Sequence, residues 1–270
     1  MILLETLANF AVGFLTGVYA TLFGLGGGFI FVPYFYLGLG MPVHKAIGSS
    51  LTSIIFVTSS AVVAYSFQRR IDFKLALLLM VAAAPSAFLG AWLTRFFDPY
   101  FLRVLFAVLL AFAGVNMILE VRFDKAKRFH FSFPILWRRT FTDRWGESFE
   151  YGVNPLLVIL GGAGAGLISG MTGIGGGIVN MPLMCLFLGI PIHVAVATSE
   201  LATLINVASG SFGHFLVGNI DFQRVVTVGF GAFLGAQVGS KVCRRIRPRV
   251  LSRAFGLILL LLTVKMVISS

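Results

Sequence analysis

The stretch Gly24-Leu-Gly-Gly-Gly28 returns later in the chain as Gly173-Ile-Gly-Gly-Gly177, a shift of 149 residues. The same shift places identical residues on one another without a gap. The identical pairs include Pro33 and Pro182, Leu37 and Leu186, Gly40 and Gly189, Pro42 and Pro191, His44 and His193, Ala46 and Ala195, Ser50 and Ser199, and Ile71-Asp72-Phe73 and Ile220-Asp221-Phe222. A repeat of this kind means that the chain consists of two homologous halves, residues 1–121 and 155–270, joined by a linker at residues 122–154.

Composition places both halves in a lipid bilayer. Of the 270 residues, 58% are hydrophobic and 11% are charged, whereas soluble domains carry roughly a quarter charged residues. Apolar runs, many close to the length of ~20 residues needed to cross a bilayer, recur along the chain. They are Leu3–Phe23, Phe29–Leu39, Val43–Phe67, Phe73–Thr94, Tyr100–Glu120, Pro155–Thr172, Ile178–Leu188, Ile192–Val217, Phe222–Ser240 and Val250–Ser269. Because the runs lack the alternation of barrel strands, the sequence predicts an all-α polytopic membrane protein with about 8–10 membrane segments.

Two of these runs, Phe29–Leu39 and Ile178–Leu188, are too short to span a bilayer, since their 11 residues rise only about 16 Å as a helix. Each run follows one of the glycine clusters, where a helix is readily interrupted. The sequence therefore predicts broken or re-entrant helices at matching positions of the two halves.

The net charge of +11 lies mostly in short stretches between the apolar runs. Basic residues concentrate at Arg69 and Arg70, in the linker and in Lys241–Arg249, but not at the repeat counterparts of the first and last of these stretches. Positive loops are retained in the cytoplasm, and only halves of opposite orientation place all three stretches on that side. We therefore expect inverted repeats with both termini outside. No folded domain gathers this charge, so no nucleic-acid partner is expected.

The linker, residues 122–154, is the one hydrophilic interval of the chain and is basic and rich in aromatic residues. Such a composition is typical of a segment that lies at the membrane surface. We expect a cytoplasmic linker with a helix at the membrane interface.

The two glycine clusters are the first candidates for a transport site. A helix that restarts after a break directs its positive end at the break, which favours an anion, and glycine leaves room for close approach. The candidate substrate-binding glycines are Gly26, Gly27, Gly28, Gly175, Gly176 and Gly177. The alternative is that these small residues only allow close helix packing.

A polar stretch follows each short segment inside an otherwise apolar run. The candidate substrate ligands there are Ser49, Ser50 and Thr52 in the first half and Thr198, Ser199 and Asn206 in the second. Together with helix N-termini, these side chains could coordinate an oxyanion without a permanent positive charge. The alternative is that the hydroxyls bond only to their own helix backbone.

Glu200 is the single acid in the interior of a spanning run, apart from Glu5 near the start. A buried ionisable group is costly in a membrane, so Glu200 is a candidate proton carrier, for example one that takes up a proton when the anion leaves. The alternative is a neutral carboxylic acid that bonds to a neighbouring helix. His44 and His193 form a repeated pair near helix starts, which indicates either helix-entry caps or titrating gate residues.

Other functional classes find no support in the sequence. The two cysteines, Cys185 and Cys243, give neither a zinc spacing nor a disulfide framework, so no metal or cofactor is expected. No arrangement of Ser, His and acid suggests a hydrolase, and a membrane-embedded enzyme is therefore not expected.

The repeated Gly-x-Gly-Gly-Gly, the proline after it, the Gly-x-Pro-x-His-x-Ala motif and the Ser/Thr-rich helix resemble the sulfite exporter TauE/SafE family of membrane permeases. The resemblance covers nearly the whole chain. It implies a multi-pass protein of a prokaryotic plasma membrane that moves sulfite, sulfoacetate or other small organic anions, in the direction of export. By resemblance, both glycine breaks and the hydroxyl-rich segments would surround the substrate.

The sequence and the resemblance together predict a secondary transporter of small anions that works by alternating access, with proton coupling as an option. The alternative is an anion channel that uses the same helix-end sites. The expected partners are the small anion and the lipid bilayer. The oligomeric state is open, and a homodimer is compatible with the sequence.

Orientation can be tested by cysteine labelling in a background without Cys185 and Cys243. We expect cysteines that replace Arg69 and Arg247 to react only from the cytoplasmic side and one that replaces Asn219 only from outside. Labelling of positions 69 and 219 from the same side would contradict the inverted arrangement.

Overall fold

The computed structural model describes residues 2–118, 137–242, 257, 259–266 and 268. The first half contains α1 (Ile2–Phe23), α2 (Gly28–Pro33), α3 (Val43–Phe67), α4 (Phe73–Leu93) and α5 (Pro99–Ile118). The second half contains α6 (Pro155–Thr172), α7 (Gly177–Pro182), α8 (Ile192–Leu216) and α9 (Phe222–Val242). Between the halves lie the strands β1 (Trp137–Thr142) and β2 (Ser148–Val153).

Six of these helices are long and apolar enough to cross a membrane, namely α1, α3, α4, α6, α8 and α9. This confirms the prediction of a polytopic helical membrane protein. α2 continues into one π-helical turn, Tyr34–Gly38, and α7 into another, Leu183–Phe187. The first short segment, Gly28–Gly38, falls below spanning length. The total of 8–10 membrane segments stays a prediction.

The interfacial helix predicted for the linker is wrong for residues 137–153, which form an antiparallel β-hairpin. Along β2, buried Phe149, Tyr151 and Val153 alternate with less buried residues, which is the period of a strand that packs on one face. The sequence reasoning weighed the aromatic content of the linker and overlooked this alternation. Residues 122–136 lie outside the described residues.

The two halves pack by exchanging equivalent contacts. A Cβ on Gly17 of α1 would lie 2.1 Å from the carbonyl oxygen of Ala232 in α9. At the repeat-related positions, a Cβ on Gly166 of α6 would lie 2.1 Å from the carbonyl oxygen of Ala83 in α4. Small residues permit such backbone approach between membrane helices. Each half therefore supplies one helix to the packing face of the other.

The order of contacts shows the directions of the helices. Along α1 and α9 the partners rise together, from Phe10 beside Gly231 to Val18 beside Gly239, so these helices are parallel. The repeat-related contacts make α4 and α6 parallel, through Leu79 beside Gly162 and Ala87 beside Gly170. Tight turns at residues 68–72 and 217–221 reverse the chain. α3 is parallel to α9, because it begins beside Asn219 and its end lies where Gln68 bonds to Ser240. Consequently α1, α3 and α9 run one way and α4, α6 and α8 the other, and corresponding helices of the two halves are antiparallel.

The loops between the helices lie at two ends of the bundle. At one end the backbone N–H of Arg144 in the hairpin donates to the carbonyl of Gln68, at 3.2 Å. Gln68 Nε2 in turn donates to the carbonyl of Ser240 near the end of α9, at 3.4 Å. Asn219 lies beside the early turns of α3, where its carbonyl oxygen would be 2.1 Å from a Cβ on Gly48. Residues 69 and 219 are thus at opposite ends, whereas Arg247 lies outside the described residues.

We expect Gly166→Ala to destabilise the protein, because its methyl group would meet the backbone of Ala83. Overpacking of this kind costs roughly 1–3 kcal/mol. The measurement is the thermal unfolding midpoint in detergent. Gly164→Ala in the same helix is the matched control, because no atom lies within 4 Å of the added methyl group. Equal midpoints for the two variants would contradict the close packing of α4 and α6.

Candidate substrate-binding site

Three glycines of each cluster have backbone angles that other residues rarely adopt. In the first cluster Gly24, Gly26 and Gly27 have φ of +70°, +76° and +97°. In the second, the repeat-related Gly173, Gly175 and Gly176 have φ of +78°, +91° and +81°. These left-handed angles end one helix and allow the next to start in a new direction. At each cluster one helix ends and another begins, while re-entry of the short segments into the membrane stays a prediction.

The last glycine of each cluster has a different role. A Cβ on Gly28 would lie 2.2 Å from the carbonyl oxygen of Gly173, and one on Gly177 would lie 2.7 Å from that of Gly24. The two breaks are therefore packed backbone against backbone. Close packing, the alternative considered from the sequence, is the role that the structure gives to Gly28 and Gly177. α2 and α7 both begin at this junction and direct their first N–H groups towards it.

Four of the predicted hydroxyl ligands tie the halves together by reciprocal hydrogen bonds. Ser50 Oγ donates to the carbonyl of Gly173 at 2.8 Å, and Ser199 Oγ donates to that of Gly24 at 3.2 Å. The backbone N–H of Asp221 donates to Ser49 Oγ, and that of Asp72 donates to Thr198 Oγ1. These bonds hold each break, and the turn before α4 or α9, against the opposite half. A direct role of these hydroxyls in substrate binding stays a prediction.

Thr52 is also engaged by the protein itself. Its Oγ1 donates to the carbonyl of Gly48 at 2.9 Å and lies 2.7 Å from Ser211 Oγ of α8. Thr52 therefore links α3 to α8, and its predicted contact with substrate is untested.

Glu200 and Asn206 are different from these hydroxyls, because their polar atoms are buried and have no hydrogen-bond partner among the described residues. Asn206 adjoins the second break, with its Nδ2 2.6 Å from the position of a Cβ on Gly176. Glu200 is the neighbour of Ser199, which bonds to the first break. Both residues lie on α8 at the level of the two breaks.

Sequence reasoning missed three further residues of this region. Thr203, Ser169 and Asn180 are each buried, and each has a side-chain oxygen without a partner in the described part of the chain. The methyl group of Thr203 lies 3.2 Å from a Cβ position on Gly26, and Ser169 Cβ lies 3.7 Å from that on Gly176. A residue-by-residue comparison of the two halves would have found them, since the first half is apolar at all three positions.

The two predicted histidines lie away from the breaks. His44 Nε2 lies 3.1 Å from the carbonyl oxygen of Thr94, which ties the start of α3 to the end of α4. His193 is the second residue of α8, ten residues before Thr203 and hence about 15 Å from it along the helix axis. The geometry of His44 agrees with the helix-entry alternative, while a gating role for either residue stays a prediction.

The residues at the breaks include groups that can bind an anion or exchange a proton. Within residues 2–118 and 137–242, no three His, Cys, Asp or Glu side chains come together as a metal site. The groups present at the junction are hydroxyls, amides, one carboxyl and backbone N–H groups. They can donate hydrogen bonds to an oxyanion and exchange one proton.

Comparison with known proteins agrees with this architecture. The model of the family described as sulfite exporter TauE/SafE matches residues 9–266. The chain belongs to this family. No solved structure matches the chain.

Curated relatives of this TauE/SafE family member match most of its length. The probable membrane transporter protein YunE of Bacillus subtilis is 27% identical over 257 residues, which cover 93% of each chain. YdhB of the same organism is 28% identical and covers 90% of this chain and 93% of its own. MJ0441 of Methanocaldococcus jannaschii is 25% identical over 88% of this chain and 86% of its own. Both carry the same description as YunE.

The linker hairpin of this TauE/SafE protein fixes one end of the bundle through a buried ion pair. Arg139 of β1 donates from Nε and Nη2 to the two carboxylate oxygens of Asp72, at 2.9 and 2.8 Å. Tyr151, which pairs with Arg139 across the hairpin, donates its hydroxyl hydrogen to Asp72 Oδ2. Asp72 also caps α4 by accepting from the N–H groups of Lys74 and Leu75.

The hydrogen bonds from Arg139 and Tyr151 determine the ionisation state of the Asp72 carboxyl, which caps α4. Burial alone raises the pKa of the Asp72 carboxyl, but hydrogen bonds from Arg139 and Tyr151 outweigh burial and hold that pKa below its usual value. Asp72 is therefore ionised at neutral pH. Its backbone N–H bonds to Thr198, two residues before Glu200, so the hairpin is connected to the candidate site through one residue.

We expect Arg139→Gln to lower the free energy of unfolding by about 3 kcal/mol, because it leaves the buried Asp72 carboxylate without its ion pair. Since the folded-state pKa is lowered, this stabilisation is present above the unfolded pKa and is lost as the pH falls through the folded pKa. The difference from the wild type should thus be full at pH 7 and shrink below about pH 4.

Thermal unfolding in detergent across this pH range measures the effect. The control is Arg138→Gln, which removes the exposed arginine next in the same strand. If both variants unfold like the wild type at pH 7, the hairpin does not fix this end of the bundle.

Proposed function

We propose that this protein is a secondary transporter of small anions, most simply sulfite or organosulfonates such as sulfoacetate, that works by alternating access. The observation that carries the proposal is the junction of two helix breaks, where α2 and α7 begin against each other beside buried polar groups that have no hydrogen-bond partner among the described residues. Helix breaks near the centre of a bundle are a recurring form of transporter binding site. Membership of the TauE/SafE family and the names of the relatives support transport as the class of function.

The relation between the halves supports alternating access. Corresponding helices are antiparallel and exchange equivalent contacts, which is the arrangement expected if the two halves are inverted repeats across the membrane. In such a transporter the two halves rock about a fixed central site, so that the site opens first to one side and then to the other. The hairpin, Arg69 and Arg70 lie at one end, which we assign to the cytoplasm.

Proteoliposome transport of a panel of anions tests the proposal. We expect saturable uptake of sulfite, methanesulfonate or sulfoacetate, and exchange of internal for external substrate, because a loaded carrier can reorient in either direction. Flux that is large, does not saturate and shows no exchange would identify an anion channel instead. Liposomes that move none of the panel under any ion gradient would contradict the proposal.

Glu200 is the proposed coupling residue. We expect Glu200→Gln to preserve expression and anion binding but to remove the pH dependence of transport, because the amide keeps the shape of the side chain and cannot exchange a proton. Initial rates between pH 5.5 and pH 8 measure this. An unchanged pH profile would make Glu200 structural, with His193 as the next residue to replace.

A further inference from the structure

The repeat makes it possible to compare each buried residue of one half with its counterpart in the other. Around the junction, five buried positions are polar in the second half and apolar in the first. The pairs are Ser169 and Ala20, Asn180 and Phe31, Glu200 and Leu51, Thr203 and Ile54, and Asn206 and Val57. The first half packs and folds with apolar residues at all five places. The polar residues of the second half are therefore not needed for the architecture.

Each of the five polar side chains has at least one buried oxygen without a hydrogen-bond partner in the described ranges. An unsatisfied buried polar group costs roughly 1–3 kcal/mol, and no lipid can supply the missing bond. Among the described residues, the first half contributes two such hydroxyls, Thr16 and Thr21. The retention of five costly groups in one half indicates that a polar ligand satisfies them.

The five residues converge on the junction of the breaks. Thr203 and Asn206 are three residues apart on one face of α8, with Thr203 against Gly26 and Asn206 against Gly176. Glu200 is three residues before Thr203 and extends the same face.

The other two residues belong to the helices beside Gly176. Ser169 of α6 also lies against Gly176. Asn180 is in the first turn of α7, where its backbone N–H bonds to Gly176. Phe31, its counterpart in the first half, lies 3.4 Å from a Cβ position on Gly27. Asn180 thus replaces a residue that faces a break.

We propose that these five residues of the second half form the recognition site, and that it takes a singly charged oxyanion head group together with one proton on Glu200. This rests on the proposed transport function and deepens it. The hydroxyls of Thr203 and Ser169 and the amide of Asn206 can donate to the oxygens of a sulfonate-like group. A protonated Glu200 supplies one more donor, whereas its carboxylate would repel the anion.

The ionisable residues on the helices around Glu200 indicate that a proton, and not a nearby cation, neutralises its charge. α6 and α7 have no ionisable residue, and the only others on α8 are His193 and His214. His214 Nε2 bonds to the carbonyl of Gly170. Other elements that pack on α8 also carry ionisable residues. These are His44, Lys45 and Tyr65 of α3, Asp72 and Lys74 at α4, Glu5 and Tyr19 of α1, and Cys185. In the described part of the chain none of these is bonded to Glu200. A doubly charged head group would find no cation bonded to Glu200 among the described residues.

The cycle then balances in charge. The loaded site holds a neutral Glu200 and a monoanion, and the empty site holds the Glu200 carboxylate, so both states carry one negative charge. One proton moves with one anion and no net charge crosses the membrane. The proton leaves Glu200 as the anion leaves, which is the reverse of the order considered from the sequence.

Transport of methanesulfonate in proteoliposomes tests this proposal. Potassium and valinomycin set the membrane potential, and a dye reports the internal pH. For the wild type we expect one proton per anion and a flux that is independent of the potential, with inhibition by other monoanions but not by sulfate. For Glu200→Gln we expect flux driven by the potential without proton movement. Wild-type flux that follows the potential, or Glu200→Gln flux that remains electroneutral, would overturn the proposal.

The residue assignment is tested with replacements taken from the first half. Thr203→Ile and Asn206→Val introduce the side chains of Ile54 and Val57, and we expect each to raise KM at least tenfold. The control is Thr58→Val, since the buried hydroxyl of Thr58 bonds to its own helix at the carbonyl of Ile54. Thermal unfolding in detergent confirms that each variant is folded.

Further results distinguish failure of the proposed recognition site from failure of the proposed transport function. Wild-type KM in folded Thr203→Ile and Asn206→Val would overturn the recognition site while leaving transport intact. Absence of flux in the wild type itself would instead contradict the transport function. Loss of methanesulfonate binding in folded Glu200→Gln, measured by calorimetry in detergent, would overturn the role of the proton, because the amide still donates a hydrogen bond.

Discussion

The contact between the two helix breaks is the constraint on which the rest of the structure depends. Gly28 lies against the carbonyl of Gly173 and Gly177 against that of Gly24, closer than any side chain would permit. This contact brings two helix starts together inside the bundle, and the bonds from Ser50 and Ser199 fix them there. Unpaired backbone groups are tolerated in a membrane protein only where other groups or a ligand satisfy them. A polar junction inside an apolar bundle follows from this geometry.

The scaffold is nearly symmetric, but the chemistry is not. Reciprocal glycine contacts and reciprocal hydrogen bonds repeat from one half to the other, because the residues that make them recur at a shift of 149 positions. The polar groups without partners break that symmetry in favour of the second half. The two features are compatible, since symmetric packing allows the halves to rock against each other while a single set of side chains binds one ligand.

The two ends of the bundle also differ. Asp72 is held by Arg139 and Tyr151 of the hairpin, whereas its counterpart Asp221 pairs with Arg224 of its own helix. The first arrangement ties the turn before α4 to the linker, and the second is local and partly exposed. At the opposite end Arg224 also bonds to Glu5 of α1, at 3.3 Å.

The sequence by itself determined the helices, the repeat and the breaks, because these depend on apolar length, on a shift of 149 residues and on glycine at positions of positive φ. It also singled out Glu200 and Asn206 as polar residues in an apolar run. Only the tertiary structure decided which polar groups have partners. Ser49 and Thr198 accept hydrogen bonds from turns of the opposite half, while the hydroxyls of Thr203 and Ser169 have no partner in the part of the chain that the structure describes. Hydrogen bonds between residues more than a hundred positions apart leave no local signal in the chain. The position of the hairpin against Asp72 likewise depends on contacts between residues that are distant in the sequence.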